Sequence, residues 1–182
     1  MRARARQPYF SPEFRPRTEH GGSLHRGRRK TYRPLDPKKP LHLVLRSSKA
    51  LGPLSLTNYK NAGKVESLAR KYAQHFGIRI LEYANAGNHL HLVIKGPKRE
   101  ALQNYFRKLP GAVAQLITGA KKGHKFGRFW DELIYSRVVE WGIALRHARD
   151  YVLLNSIEAA GVFIPGLRKR KSKPPPSGAG WV

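Results

Sequence analysis

Two histidines in the middle of the sequence have a spacing that suits metal binding. His89 and His91 stand within residues 87–95 (GNHLHLVIK), a stretch that is apolar after the first histidine, ends at Gly96-Pro97 and predicts a buried β-strand. Because side chains alternate across a strand, both imidazoles lie on the same face. Two imidazoles on a rigid strand form a ready pair of ligands, although a metal ion needs at least one further group. The spacing also suits two half-buried histidines that bond to neighbouring carbonyls.

A tyrosine and an asparagine near the end of the sequence are candidates for the missing groups. Tyr151 and Asn155 are four residues apart in a predicted helix, so they share one of its faces. A tyrosine hydroxyl is a candidate nucleophile for phosphoryl chemistry, and an amide oxygen is a candidate third metal ligand. The alternative is that Tyr151 packs in a half-buried position and Asn155 is a polar group at a helix end. The residues alone leave both readings open.

The composition indicates a polyanionic partner. Among 182 residues, 36 are Lys or Arg and 11 are Asp or Glu, which gives a formal charge of +25. This charge favours nucleic acid over a membrane, because no apolar run approaches the roughly 18 residues of a spanning helix. The sequence has no cysteine, so a metal ion is expected to be held by histidine, carboxylate, amide or water. No secretory leader is visible, and we expect a cytoplasmic protein.

The apolar pattern predicts one α+β domain between two basic tails. The predicted strands are 41–46, 78–83, 87–95 and 133–139. The predicted helices are 61–76, 98–118 with a break or kink at Pro110-Gly111, and 142–158. This order matches the ferredoxin-like, split βαβ fold: a four-stranded antiparallel sheet with helices on one face, the histidine strand central, and an extra C-terminal helix. We predict a disordered basic arm at 1–40 that lies along phosphates, the domain at 41–162, and a disordered basic, Pro-rich tail at 163–182.

Taken in order, these motifs resemble the single-tyrosine HUH (IS200-like) transposases, and in particular the REP-associated tyrosine transposases. Their signatures are a His–hydrophobe–His strand, a Phe-Trp pair shortly before an aromatic strand residue, and a late-helix Tyr-x-x-x-Asn or Tyr-x-x-x-Gln. The matching positions are His89-Leu90-His91, Phe129-Trp130, Tyr135, Tyr151 and Asn155. The resemblance covers residues 40–162, and it departs at Ser156, where the family usually has proline.

The resemblance implies an enzyme that cleaves and rejoins DNA. His89 and His91 are expected to bind Mg²⁺ or Mn²⁺, and Asn155 to complete the protein ligands. Tyr151 is expected to attack a phosphate of single-stranded DNA, which leaves a 5′-phosphotyrosine and a free 3′ hydroxyl. Family members recognise DNA hairpins and many are dimers. The expected partners are therefore single-stranded or hairpin DNA, with a second copy of the chain as a further candidate and no membrane.

Two other functions are compatible with this fold class. An RNA-binding protein of RRM-like shape has the same strand order, but its third strand carries a Lys/Arg-Gly-Phe-x-Phe run where this sequence has His89-Leu90-His91. A domesticated, non-catalytic relative keeps the basic surface and binds DNA or RNA without cleavage. Metal-dependent nicking of single-stranded DNA separates the transposase from both.

Overall fold

A computed structural model of the chain describes residues 18–25 and 31–162. The strands in this part are β1 (Glu19–His20), β2 (Leu41–Arg46), β3 (Arg79–Asn85), β4 (His89–Lys95) and β5 (Tyr135–Val138), and the α-helices are α1 (Ala62–His75), α2 (Arg99–Thr118) and α3 (Ile143–Ala159). The α+β class and the predicted order of four strands and three helices are confirmed. None of the helices in these ranges is long and apolar enough to cross a membrane.

All strands pair in a single antiparallel sheet in the order β1-β5-β2-β4-β3. Strands β2 and β4 pair along their whole length, from Leu41 opposite Ile94 to Arg46 opposite His89. The four longer strands therefore have the ferredoxin-like order, and the histidine strand β4 is central, as predicted. Because β4 is bonded to a neighbour on each side, the backbone that carries its imidazoles is held firmly in place.

One face of the sheet is the main hydrophobic core. Alternation along β2 and β4 sends their leucines to this face, where α1 and α2 cover them. The largest fully buried side chains of this core are Leu41, Leu43, Leu56, Leu90, Leu92, Ile94, Leu102, Tyr105, Leu109, Val65 and Val113. The prediction that these two helices lie on one face is confirmed.

Helix α2 runs without interruption through Pro110, where the sequence predicted a break or kink. A proline inside a helix costs the hydrogen bond of its missing N–H group. Burial of Leu109 and Val113 on either side holds the helix against the core, and the indole of Trp130 donates a 2.8 Å hydrogen bond to the carbonyl oxygen of Pro110. The break prediction is wrong because these tertiary contacts outweigh the local preference of the backbone.

Helix α3 packs on the opposite face of the sheet, over β3 and β4. Its Ala148 and Val152 are buried against the small side chains Ala84 and Val93 of the sheet, which lets the helix approach closely. The guanidinium of Arg149 donates a 2.9 Å hydrogen bond to Glu82 of β3 and fixes the helix along the sheet. The face that receives the odd-numbered residues of β4 is therefore covered in part by α3.

Part of the predicted arm is structured, so the sheet has one strand more than the sequence predicted. Glu19 and His20 form β1 on β5, and Leu35 enters the main core. The chain passes so close to β5 that a Cβ atom on Gly21, which has a φ of +84°, would lie 2.0 Å from the carbonyl oxygen of Ile134. The rest of the predicted arm, 1–17 and 26–30, and the predicted tail, 163–182, lie outside the described residues.

Arg33 ties this N-terminal segment to β5. Its guanidinium donates hydrogen bonds to the Ser136 hydroxyl at 2.5 Å and to the Ile134 carbonyl at 2.8 Å, and it lies 5.2 Å from the ring centre of Phe106. Burial lowers the pKa of Arg33 to about 10, so the group stays charged at neutral pH. Strand β5 begins at Tyr135 rather than at residue 133 as predicted, because the Leu133 and Ile134 carbonyls bond to this segment instead.

We expect Arg33→Ala to lower the free energy of unfolding by on the order of 2 kcal/mol, because it leaves buried acceptors without a charged donor. Urea denaturation measures this loss. Arg107→Ala removes an exposed arginine of α2 and is the matched control. Equal stabilities of the two variants would contradict the anchoring role of Arg33.

Candidate active site

Strand β4 places the two predicted histidines on the face that α3 covers. The His89 and His91 rings lie with their centres 4.7 Å apart and their planes at 77°. The side-chain oxygen of Asn88 accepts a hydrogen bond from Nδ1 of His89. This bond fixes the tautomer of His89 and leaves Nε2 as the nitrogen with a free lone pair.

A third imidazole, His42, stands behind His91 and was not predicted as a site residue. His42 is 7% exposed and His91 is 3% exposed, and their rings stack with centres 5.7 Å apart and planes at 10°. Nδ1 of His91 lies 3.4 Å from Nε2 of His42. Nε2 of His91 is buried and has no hydrogen-bond partner among the described residues. If Nδ1 of His91 carries the proton and donates a hydrogen bond to Nε2 of His42, the lone pair on Nε2 of His91 is left for another partner.

A sequence signal for His42 exists, although it is weak. In β2 the leucines at positions 41, 43 and 45 face the main core, so His42 must face the other side of the sheet. Its proximity to His91 follows from the register, in which His42 pairs with Val93 and Val44 pairs with His91. This register is a property of the folded sheet, and residues 41–46 read alone do not reveal it.

Helix α3 brings both of its predicted residues to the histidines. The ring of Tyr151 lies 5.5 Å from that of His91 and 5.9 Å from that of His42, centre to centre, and Tyr151 remains 52% exposed. The amide nitrogen of Asn155 donates a 2.7 Å hydrogen bond to the carbonyl oxygen of Tyr151. The Asn155 side chain also lies near enough to His89 to raise the pKa of that imidazole against the other contributions. All four predicted site residues therefore meet on one face, with Tyr151 accessible to a substrate.

Two other tyrosines differ from Tyr151 in their surroundings. Tyr105 is fully buried, and its hydroxyl donates a 3.3 Å hydrogen bond to the carbonyl of Ala69, so it is a packing residue. Tyr135 of β5 is half-buried on the histidine face, with its ring centre 6.4 Å from that of His42. Burial first, and then the carboxylate of Glu19, raise the pKa of Tyr135 to about 12. Its phenolate is therefore harder to form than that of an unperturbed tyrosine.

The three imidazoles are neutral at pH 7. Burial lowers the pKa of His42 to about 4, and the charge of Arg137 on the neighbouring strand contributes. Burial lowers the pKa of His91 to about 3, with smaller contributions from His89 and His42. For His89, burial and then Arg46 lower the pKa, and the side chain of Asn155 opposes them. Neutral imidazoles keep a lone pair that can bind a cation.

The donor set suits a divalent cation only if Asn155 contributes. In residues 18–25 and 31–162, no group of three or more His, Cys, Asp or Glu side chains is arranged to hold a metal ion. His42 lies on the Nδ1 side of His91, away from the unpartnered Nε2. The groups that remain are imidazole nitrogens of His89 and His91 and the amide oxygen of Asn155. Imidazole nitrogen and amide oxygen are both ligands of first-row divalent metals. Such an ion would therefore give the buried Nε2 of His91 the partner that it lacks.

Positive side chains flank the imidazoles. Arg46 lies directly opposite His89 across the β2–β4 pair, and Arg137 lies opposite His42 across the β2–β5 pair. Arg46 is exposed and Arg137 is partly exposed. The strand register therefore places an arginine beside His89 and another beside His42, and guanidinium groups bind phosphate oxygens well.

Comparison with known proteins assigns this arrangement to a family. Residues 42–152 match the family described as Transposase IS200 like. A structure of a REP-associated tyrosine transposase bound to a REP hairpin is similar in fold, with a TM-score of 0.59, 14% sequence identity, and coverage of 74% of this chain and 76% of that one. A structure provisionally described as a transposase of Deinococcus radiodurans R1 has a TM-score of 0.43 and 17% identity, over 71% of this chain and 95% of that one. The search of curated proteins gave no significant match.

The buried imidazoles predict a loss of stability in mild acid. His42 and His91 have lower pKa values in the folded state than in the unfolded state, where histidine titrates near 6.5. The unfolded chain therefore takes up protons first as the pH falls below about 6.5, and stability decreases with falling pH. Between pH 7 and pH 5, we expect each imidazole to account for on the order of 1–2 kcal/mol of this decrease.

Urea denaturation in the presence of EDTA measures this pH dependence. His42→Gln and His91→Gln should each reduce the change in stability between pH 7 and pH 5. His147→Gln, at an exposed position of α3, is the control and should leave the change as in the wild type. An unaltered pH dependence in both site variants would show that these imidazoles titrate normally.

Proposed function

The chain belongs to the IS200-like transposase family, and we propose that it cleaves and rejoins single-stranded DNA with Tyr151 as its nucleophile. The observation that carries the proposal is the 5.5 Å between the ring centres of Tyr151 and His91 on the face that α3 covers. Asn155, one helical turn beyond Tyr151, lies near His89 and raises the pKa of its imidazole against the other contributions. These side chains meet within one copy of the chain, and a second copy stays a candidate partner.

The proposed reaction is a transesterification. The Tyr151 oxygen attacks the scissile phosphorus, a new P–O bond forms to the tyrosine, and the bond from phosphorus to the 3′ oxygen breaks. The phenol loses its proton and the departing 3′ oxygen gains one, so the products are a 5′-phosphotyrosine and a free 3′ hydroxyl. A phosphodiester is exchanged for another phosphodiester. A 3′ hydroxyl of a second DNA end can therefore reverse the reaction and rejoin the strand.

The other side chains have positioning roles in this scheme. Helix α3 holds Tyr151 through burial of Ala148 and Val152 and through the Arg149–Glu82 ion pair. His89, His91 and Asn155 would hold a divalent ion, Mg²⁺ or Mn²⁺, and Asn88 orients the ring of His89. Such an ion, when bound, polarises a phosphate oxygen and offsets the charge that develops there. Arg46 and Arg137 bind the remaining phosphate oxygens.

The proposed substrate is DNA that combines single-stranded and hairpin segments. The net charge of +25 favours a polyanion, and Tyr151 is exposed enough to reach a backbone phosphate. The structurally similar REP-associated tyrosine transposase was solved with a REP hairpin. The proposal extends hairpin recognition to this chain, within a cytoplasmic setting.

Tyr151→Phe should abolish covalent attachment of DNA, because it removes the attacking oxygen and keeps the ring. The assay incubates the protein and Mn²⁺ with hairpin DNA that has randomised single-stranded flanks, and detects the adduct on a denaturing gel. Tyr135→Phe alters the other tyrosine of this face and is the control, with an adduct yield close to that of the wild type. An adduct that persists in Tyr151→Phe and maps by mass spectrometry to Tyr135 would refute the assignment. No adduct with the wild type would favour the non-catalytic alternative.

The proposed metal ligands make a separate prediction about ion binding. Mn²⁺ affinity, measured by electron paramagnetic resonance, should fall at least tenfold in His89→Ala, His91→Ala and Asn155→Ala. His147→Ala should bind Mn²⁺ as the wild type does. The same three variants should lose adduct formation and keep their affinity for hairpin DNA, because the imidazoles and the amide serve the reaction rather than phosphate binding. If circular dichroism shows that the variants are unfolded, the histidines are structural, and wild-type Mn²⁺ affinity in folded variants would refute the ligand set.

A further inference from the structure

The connection between α2 and β5 carries a concentration of positive charge that the proposed site does not use. Residues 119–128 (GAKKGHKFGR) contain four Lys or Arg and no acidic residue. Lys121 and His124 exchange backbone hydrogen bonds of 3.1 and 2.9 Å, so the segment is folded into a turn. Gly123 has a φ of +84°, which a residue with a side chain rarely adopts in such a turn. The lysines are therefore presented from a defined backbone.

Between this turn and the C-terminal end of α2 lies an open groove of about 390 Å³, the loop groove. Its helical side carries Gly111, Ala114, Gln115 and Thr118, and its loop side carries Lys121, Lys125, Phe126 and Phe129. Gly111 and Ala114 leave the helical side of the groove open, because neither residue has a side chain that extends beyond Cβ. The loop side of the groove therefore combines the exposed ring of Phe126 with the side chains of Lys121 and Lys125.

Phe126 has the surroundings of a stacking platform. It is 38% exposed, and it packs against the buried Phe129 with ring centres 6.3 Å apart and ring planes at 64°. The ammonium of Lys49 lies over one face of the Phe126 ring, 5.6 Å from its centre, which leaves the opposite face for a base to stack on. An aromatic face with phosphate-binding cations around it is the combination that proteins use for unpaired nucleotides, since any base has a face that can stack.

The loop groove is connected to the proposed active site by a continuous set of contacts. Nζ of Lys49 donates a 2.6 Å hydrogen bond to the carbonyl of Arg128. The carboxylate of Asp131 accepts hydrogen bonds from the backbone and hydroxyl of Ser48 and lies 4.0 Å from Nε of Arg46. Arg46 in turn lies opposite His89. Arg46, Lys49 and Arg128 therefore lie between the histidines and the Phe126 ring, with the carboxylate of Asp131 among them.

We propose that the loop groove binds a nucleotide of the single-stranded DNA that leads away from the scissile phosphate. The base stacks on Phe126, and the neighbouring phosphates contact Lys49, Lys121, Lys125 and Arg128. This inference rests on the proposed function, because it takes the DNA path to begin at Tyr151. Duplex DNA does not satisfy the groove, since its bases already stack on one another and their faces are not available.

The test measures the affinity of the full chain for fluorescein-labelled oligonucleotides by anisotropy. The probes are dT20, a 20-base-pair duplex and the RNA rU20, because oligothymidine has little structure of its own. Phe126→Ala should weaken dT20 binding roughly tenfold, in line with the 1–3 kcal/mol that one stacked base contributes, and should leave duplex binding within twofold. Phe126→Trp should restore the affinity for dT20.

A matched aromatic control lies at the other end of α2. Tyr32 is 74% exposed with the Arg99 guanidinium 4.1 Å from its ring centre, so it has a similar aromatic–cation pair without the groove. Helix α2 has 20 residues, which places its two ends about 30 Å apart. Tyr32→Ala should bind dT20 within twofold of the wild type.

The lysines are tested through the salt dependence of binding. Lys121→Gln combined with Lys125→Gln should make the slope of log K against log salt shallower by about 1.4 for dT20, because each phosphate contact on a single strand contributes about 0.7. Lys64→Gln combined with Lys71→Gln removes the same charge from the exposed side of α1 and should change the slope by less than half as much.

Several results would overturn the inference. The first is a wild-type affinity of Phe126→Ala for dT20. The second is a loss of dT20 affinity in Tyr32→Ala, or of duplex affinity in Phe126→Ala, as large as the loss of dT20 affinity in Phe126→Ala. The third is binding of rU20 by the wild type more than tenfold tighter than binding of dT20. Adduct formation at Tyr151 is a separate readout. An adduct together with an unaltered Phe126→Ala affinity refutes the groove and retains the proposed function. A Phe126-dependent affinity without an adduct refutes the function and leaves a single-strand binding surface.

Discussion

The layout of this molecule depends on the alternation of side chains between the two faces of β2 and β4. Along β2 and β4, each leucine that enters the core is followed by a residue on the opposite side of the sheet. The leucines pack against α1 and α2, and this packing makes the sheet rigid. His42, His89 and His91 occupy the alternate positions, so their geometry is set by the same backbone that the core holds. A shift of one residue in the register would exchange the two sets and destroy both.

The face that carries the imidazoles is only partly covered, and this has chemical consequences. Helix α3 packs on β3 and β4 through alanines and valines, which are small enough to let it lie close to the sheet. Helix α3 shields His42 and His91 from water. Both imidazoles stay neutral, because a charged imidazole is poorly solvated in this buried position. The exposed side of the same helix keeps Tyr151 accessible. One packing arrangement thus provides neutral imidazole nitrogens and a reachable hydroxyl.

Charge is distributed unevenly over the surface in a way that suits a nucleic-acid substrate. At the imidazoles, Arg46 and Arg137 carry positive charges that act on the pKa values of His89 and His42. Further from it, the lysines of residues 119–128 and Lys49 surround an aromatic groove. Arginine at the proposed scissile position offers a planar, bidentate grip on a phosphate, whereas lysines along the flanking path supply affinity with little demand on geometry. In the proposed function the two parts have different tasks, and in the structure they are connected through Asp131 and the end of β2.

The sequence by itself determined the features that depend on neighbouring residues. The period of two places His89 and His91 on one face, the period of 3.6 places Tyr151 beside Asn155, and the charge specifies a polyanionic partner. The order of the four longer strands and three helices follows from the same periods. The meeting of these four residues was predicted, and the structure shows it, whereas their roles stay predictions.

Only the tertiary structure decided what depends on contacts between distant segments. His42 meets His91 across 49 positions of sequence because of the register between β2 and β4, and no local pattern encodes a register. Arg33 and Gly21 draw an apparently unstructured basic segment onto β5, which adds a fifth strand. Packing against the core and Trp130 carries α2 through Pro110. In each case the free energy of a long-range contact outweighs the preference of the local chain, and that contact exists only after the chain has folded.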